Sequence, residues 1–362
     1  MDGIISASDL LRAFFLFGTS FVFTFVVIPF VMRIIKHDEG DSWLSIHKVA
    51  SIKMPALGGL TIFLSIIISI CFWIPFESLP YLQYYLSALF VILILGIKDD
   101  FEPLDPMFKF LIQFCAAAIL VFLADLYIVD FKSVFGIYTE SKLTSQLLSM
   151  VLIVFLINAI NFIDGINGLC AAITVLMAMT FGSYFLFINA NSLSYISMAL
   201  AGSTFAFLYY NITPARIFMG DTGSQTIGTI IAILAINFLN IQGGDLSIGI
   251  VNSPSFLLAI LIIPFLDGIR VILRRLIKFK SPFDKDTSHI HHILLGKGFT
   301  HMQATLALVI TNIFFILLAY NLQFLGNIIL IILQLVLAFL IYIALLLKKS
   351  KSYDIIYKEI QK

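Results

Sequence analysis

Charge is scarce in this chain: Asp, Glu, Lys and Arg make up 12% of 362 residues, while 60% are hydrophobic and 36 are Phe. So little charge with so much apolar surface excludes the soluble globular and disordered classes and leaves a polytopic membrane protein. Cysteine is scarcer still. Cys71, Cys115 and Cys170 fall in separate apolar runs without CxxC spacing, so neither a disulfide framework nor a zinc site is supported and all three read as packing residues. Met1-Asp2-Gly3 has no basic n-region and no small-residue cleavage site follows, so the first run reads as a retained span. Internal repeats, low-complexity tracts, soluble domains and nucleic-acid modules are all lacking.

What is present is a series of apolar segments, each close to the roughly 20 residues that a helix needs to cross a bilayer. About eleven such runs lie near 11–33, 57–75, 81–97, 107–129, 146–162, 167–188, 193–212, 225–241, 254–274, 303–320 and 326–347. The expected fold is an all-α transmembrane bundle over 1–347 with a basic tail at 348–362. Lys and Arg concentrate in alternate loops, from Arg33 and Lys53 through Lys98 and Lys109 to Arg274, Arg275 and the tail. That asymmetry predicts an outside N-terminus and a cytoplasmic C-terminus. The juxtamembrane basic residues otherwise suit anionic lipid headgroups.

Four aspartates stand where a buried chain tolerates them least, because Asp99, Asp100, Asp164 and Asp221 each close or open an apolar run. An ionisable group at the bilayer centre costs about 2.5–3.5 kcal/mol on insertion scales, so such residues are paired or line a functional cavity. The adjacent pair Asp99-Asp100 repels itself; one carboxylate could hold Mg²⁺, one could act as a base, or the pair could be an ordinary helix-end acidic turn. Lys109 opens the next run, where it either meets a lipid phosphate or is only a topological charge.

The densest polar segment is Asn158-Ala-Ile-Asn161-Phe-Ile-Asp164-Gly-Ile-Asn167-Gly168. Spacing of three puts Asn158, Asn161 and Asp164 on one helix face, an oxygen-rich surface for a hard cation or a polar stripe between helices. In Phe218-Met-Gly-Asp221-Thr-Gly-Ser224, glycines bracket one carboxylate that can reach a metal or simply cap the following helix. Pro55 and Gly58-Gly59 open the second run, where backbone amides could meet an anion, although close packing is the stronger reading. His289-Ile-His291-His292 lacks cysteine or carboxylate at ligand spacing, so phosphate contact outweighs zinc there. His37, His47 and His301 read as interfacial residues.

Together these segments resemble the polyprenyl-phosphate N-acetylhexosamine-1-phosphate transferases of glycosyltransferase family 4. That membrane family includes the bacterial undecaprenyl-phosphate GlcNAc-1-phosphate transferases and the translocase that starts peptidoglycan lipid synthesis. The resemblance is carried by MPALGG at 54–59, GIKDDFEPL at 96–104, NAINFIDGINGL at 158–169, FMGDTGS at 218–224 and SPFDKDTSHIHHILL at 281–295, in that order. It implies Mg²⁺-dependent transfer, with Mn²⁺ a substitute, of a sugar 1-phosphate from a UDP-N-acetylhexosamine to undecaprenyl phosphate, releasing UMP. It further implies Asp221 and Asn161 as metal ligands, and Asp99, Asp100 and Asp164 as catalytic residues, the first two as base or substrate-positioning groups. Lys109 then meets the lipid phosphate, and Lys53, Asn158, Asn167, Asn211 and Phe218 the donor. His289, His291 and His292 stand near its diphosphate.

One departure is visible. Many bacterial members carry DGIDG where this chain has Asp164-Gly-Ile-Asn167-Gly, which argues against a mechanism that needs a charge at 167. The HIHH form favours the GlcNAc branch and a start to a lipid-linked envelope glycan such as O-antigen or teichoic acid. The implied setting is the bacterial cytoplasmic membrane, with the site on its inner face, membrane lipids around it, a second copy of the chain admitted and no nucleic acid. The rival class is a cation- or proton-coupled transporter, since intramembrane acids also mark ion paths.

Overall fold

The computed structural model describes residues 6–38, 57–129, 141–212, 214–241, 254–277 and 289–347. Among them every regular element is helical. In chain order they are α1 (Ala7–Asp38), α2 (Leu57–Trp73), α3 (Leu82–Phe101), α4 (Pro106–Ala118), α5 (Lys142–Ile163), α6 (Leu169–Phe187) and α7 (Asn191–Asn211). There follow α8 (Gly220–Asn240), α9 (Pro254–Ile260), α10 (Ile262–Ile277), α11 (Ile290–Gly296), α12 (His301–Asn321) and α13 (Asn327–Leu347). Helices are forced, because a backbone in hydrocarbon must satisfy its own N–H and C=O groups.

Each of the eleven apolar runs is helical, but not all are single long spans. Nine described helices are long and apolar enough to cross a membrane, or ten if a bent pair counts as one. The run at 254–274 is that pair, α9 and α10, which meet at 86°. Pro264 lies in the first turn of α10, where its missing N–H costs nothing. The run at 57–75 gives a helix of only 17 residues. Lys53, the 54–56 part of the MPALGG segment, 281–288 and the 348–362 tail lie outside the described residues.

The bundle is built around α8, which packs against α2, α3 and α5 and is buried along nearly its whole length. By contrast α13 sits at the periphery, exposing Ile328, Ile332 and Phe339 as a lipid-facing helix does. Small and hydroxylated residues set the spacing. Thr24, Ser65 and Ser203 link α1, α2 and α7 through buried hydroxyl bonds of 2.6–3.0 Å. Gly59 and Gly96 let α2 and α3 approach the first turn of α8: a Cβ on Gly59 would meet the Gly223 backbone, and one on Gly96 would meet that of Thr222. Glycines Gly58 and Gly59 therefore serve close packing, and the Gly59 N–H is already bonded to the Met219 carbonyl at 3.1 Å.

The bend has its own supports. Asn312 of α12 donates to the carbonyls of Ala259 and Ile260 at 2.9 and 3.3 Å, and Gln334 of α13 donates to that of Ser255 at 3.0 Å.

Gly59→Ala should lower the unfolding temperature in detergent, since overpacking costs about 1–3 kcal/mol. Gly18→Ala, with open space around the added methyl, should leave that temperature unchanged.

Candidate active site

The site assembles at one end of the bundle from the end of α3, the start of α4, the end of α5 and the start of α8. Its geometry follows from local capping. Asp99, near the end of α3, accepts from the Leu104 N–H at 2.8 Å and folds the connector back on itself. Asp105 then caps α4 by accepting from the Met107 and Phe108 N–H groups at 2.9 and 3.4 Å, with Pro106 pre-set for the first helical position. One turn later Lys109 reaches back to form an ion pair with Asp99, and its Nζ stands 3.5 Å from Asp221. The ten-residue separation of Asp99 and Lys109 thus closes into a contact.

Asp100 does a different job from its neighbour. Its Oδ1 accepts from the Asp221 N–H at 2.8 Å, and its Oδ2 accepts from the N–H and the hydroxyl of Thr222 at 3.0 and 2.5 Å. A carboxylate on α3 therefore caps α8 from outside, at the positive end of the helix dipole. Gly220 takes a positive φ of 69° just before Asp221, which a side chain would resist. Both features fix the direction in which Asp221 leaves the backbone.

The amide stripe divides as well. Asn161 Nδ2 donates to Asp221 at 2.7 Å and to Ser224 at 2.8 Å, so it belongs to the basin. Asn158 donates to Gln113 at 2.6 Å, and Gln113 donates to Gln225 at 3.1 Å. That chain ties α4, α5 and α8 together, which is the interhelical reading of the stripe. Asp164 lies just past α5. Although part of it still reaches the surface, the surrounding protein, and then the Asp221 and Asp100 charges, hold its carboxyl well above the usual range.

Asn167 and Asn211 hold the turn after Asp164. The Asn167 N–H donates to His301 at 3.3 Å, its carbonyl accepts from Thr305 at 3.2 Å, and Asn211 accepts from the Gly168 N–H at 2.7 Å while donating to the Ile217 carbonyl at 2.8 Å. Asn211 is buried and spent on this turn. Phe218 is 46% exposed, an open aromatic face beside the Gly-Asp turn.

The histidines pack against the same turn. His289 lies 5.3 Å from the Phe162 ring and stacks on His291 at 5.5 Å, and His292 lies 4.3 Å from His291. A Cβ on Gly165 would run into the His291 ring, so only glycine lets the Asp164 turn and the histidines meet. His291 is fully buried and, among the described residues, neither ring nitrogen has a hydrogen-bond partner. Burial, then the neighbouring His292, lowers its pKa to about 3.

The contacts of several residues escaped the sequence reading. Ser224 accepts from Asn161, His301 holds Asn167, and the Arg275 guanidinium lies 5.5 Å over the Phe162 ring. Asp267 on α10 pairs with His289 at 2.7 Å. An apolar cavity of about 420 Å³ opens between α10, α12 and α13, bordered by Asp267, Arg270, Leu266, Phe339 and Tyr342.

Among the described residues no three His, Cys, Asp or Glu side chains converge as a metal cage. The oxygens that could face an ion are those of the Asp221 carboxylate and the Asn161 amide, beside the Asp99–Lys109 ion pair. A set so sparse in protein oxygen fits Mg²⁺, which commonly takes one or two carboxylates and fills the remainder with water and substrate phosphate.

Comparison with known proteins gives consistent matches. Residues 82–239, from α3 to α8, match the model of glycosyl transferase family 4. A Bacillus subtilis protein named "Probable undecaprenyl-phosphate N-acetylglucosaminyl 1-phosphate transferase" is 32% identical over 312 residues, covering 84% of each chain. The undecaprenyl-phosphate alpha-N-acetylglucosaminyl 1-phosphate transferase of Escherichia coli O157:H7 is 29% identical, covering 94% of this chain and 90% of its own. A decaprenyl-phosphate N-acetylglucosaminephosphotransferase of Mycobacterium leprae is 30% identical over 70% of this chain and 69% of its own.

Two outcomes test this geometry. Asp100→Ala should destabilise the protein by about 1–2 kcal/mol, the loss of a helix cap, read as a lower unfolding temperature. His291, neutral when folded, takes up a proton only on unfolding once pH falls below about 6.5, so it lowers stability progressively as pH drops from there. His291→Phe should therefore flatten the fall in unfolding temperature between pH 7 and 5; an unchanged slope would refute the buried neutral imidazole.

Proposed function

The chain belongs to glycosyl transferase family 4, and from that premise we propose that it transfers N-acetylhexosamine 1-phosphate, GlcNAc 1-phosphate above all, from its UDP-sugar to undecaprenyl phosphate. UMP leaves, and the lipid-linked sugar starts an envelope glycan. The observation that carries this reading is Lys109, placed between Asp99 and Asp221 where two anionic substrates would have to meet. Family membership favours a transferase over the transporter reading. So does the gathering of Asp99, Asp100, Asp164 and Asp221 at one end of the bundle, where a translocation path would need acids in its middle.

Two anions repel, and the site answers with cations. Lys109 would bind the acceptor phosphate, and Asp99 would orient that ammonium; both Asp99 oxygens are already committed, to Lys109 and to the Leu104 N–H. A positioning role suits Asp99 better than that of a base, because a phosphate monoester with second pKa near 6 is mostly ionised at neutral pH. Asp221 and Asn161 would hold Mg²⁺, with Mn²⁺ as a substitute, and Asp100 would keep Asp221 in place. When bound, the ion neutralises the donor diphosphate and stabilises charge on departing UMP. An oxygen of the lipid phosphate attacks the sugar-linked phosphorus, and the bond from that phosphorus to UMP breaks. The apolar cavity beside α10 offers a surface of the kind an isoprenoid chain takes. The Lys and Arg of the loops support a basin on the cytoplasmic face of a bacterial cytoplasmic membrane.

Purified protein given UDP-GlcNAc, Mg²⁺ and undecaprenyl phosphate should release UMP, and Asp99→Asn should nearly abolish that release. A panel of UDP-N-acetylhexosamines that yields no UMP with any member would reject the transferase reading.

A further inference from the structure

The broken span carries an acid that the scheme above leaves unused. Asp267 sits on α10 a turn beyond the bend and is 3% exposed. Its Oδ2 lies 2.7 Å from His289 Nδ1, while its Oδ1 accepts from the Ile290 N–H at 2.8 Å and from Arg270 at 3.1 Å. A carboxylate in an apolar helix is costly unless its lone pairs are met by donors, and here three different donors meet them.

The pairing determines which form the imidazole takes. A carboxylate that already accepts from a backbone N–H and a guanidinium accepts again from His289, so the ring hydrogen on that edge sits on Nδ1. The ring is fixed on its faces too. It lies parallel to His291, at an interplanar angle of 2°, and against Phe162, the residue between Asn161 and Ile163 on the basin helix. A carboxylate behind a histidine is the arrangement by which proteins set the orientation and tautomer of a ring whose other nitrogen works.

We propose that Asp267 is a positioning residue of the transfer site: by accepting from His289 Nδ1–H, it fixes the ring so that Nε2, when it too carries a proton, donates to the phosphates of the nucleotide-sugar donor. The inference rests on the reading of the basin as a UDP-sugar site. A bland role competes with it, in which Asp267 only ties the start of α11 to α10 through Ile290. Arg270 has its own anchor, a 3.0 Å bond to the Tyr342 hydroxyl, so it stays placed when the carboxylate is changed.

The test uses full-length protein in lipid nanodiscs with ¹⁵N-labelled histidine, the His289 resonances being assigned by their loss in His289→Gln. Wild type should show His289 protonated at Nδ1; a ring protonated at Nε2 alone overturns the proposal whether or not any variant folds. Asp267→Asn, which keeps the shape but not the charge, should shift His289 away from that form. It should also lower kcat/KM for UDP-GlcNAc about tenfold to a hundredfold, the range seen when such supporting groups are removed. KM for undecaprenyl phosphate should not move. Adding His289→Gln to Asp267→Asn should cost nothing further, because both changes remove one interaction. An unmoved His289 spectrum, or losses that multiply, leaves Asp267 a structural tie and refutes the inference. If wild type releases no UMP, the transferase reading fails, and the nitrogen spectrum still decides the pairing separately.

Discussion

The carboxylate of Asp100 held against the first turn of α8 is the contact through which the basin keeps its shape. A helix start has backbone donors that the helix itself cannot satisfy, and α3 supplies a carboxylate to two of them. The same contact sets the register of two buried helices and aims Asp221, whose own carboxylate then faces Asn161 and Lys109. Gly59 and Gly96 make the approach close enough for these bonds, because any side chain there would push α2 or α3 off the α8 backbone. Packing and electrostatics are one constraint at this corner.

The basin consequently has a hierarchy. Asp99 and Lys109 neutralise one another, Asp221 accepts from the Asn161 amide, and burial opposes the charge of Asp164. Glycine at 165 admits the histidines to the same turn, which connects the C-terminal third of the chain to a site otherwise contained in residues 82–239. The polar chain Gln113, Asn158 and Gln225 lies beneath, holding α4, α5 and α8 in register without any charged residue among its members.

Much of this was legible in the sequence. Eleven apolar runs revealed the helices because bilayer thickness fixes their length, and the aspartates at run ends marked the basin because an ionisable group there is costly unless paired or functional. Partner choice was not legible. Asn158 and Asn161 share a face by spacing, yet one meets Gln113 and the other Asp221, a distinction made by helices arriving from elsewhere. Asp99 and Asp100 are adjacent, yet their partners lie ten and 121 residues on. The bend at Leu261 was read as a single span because Pro264 in an apolar run does not announce an 86° corner. Asp267 carried the same signal as the other acids but sat within a run rather than at its end, with no amide or glycine motif before it.

The corner between α9 and α10 bears on how the protein is made. Carbonyls of Ser255, Ala259 and Ile260 in α9 accept from Asn312 and Gln334, which lie 52 to 79 residues later in the chain. A chain threaded into the bilayer from its N-terminus therefore lacks these three bonds until the last two long helices have entered. A chain stopped short of α12 and α13 would thus carry every basin acid and still lack the side chains that bind the α9 carbonyls at this corner.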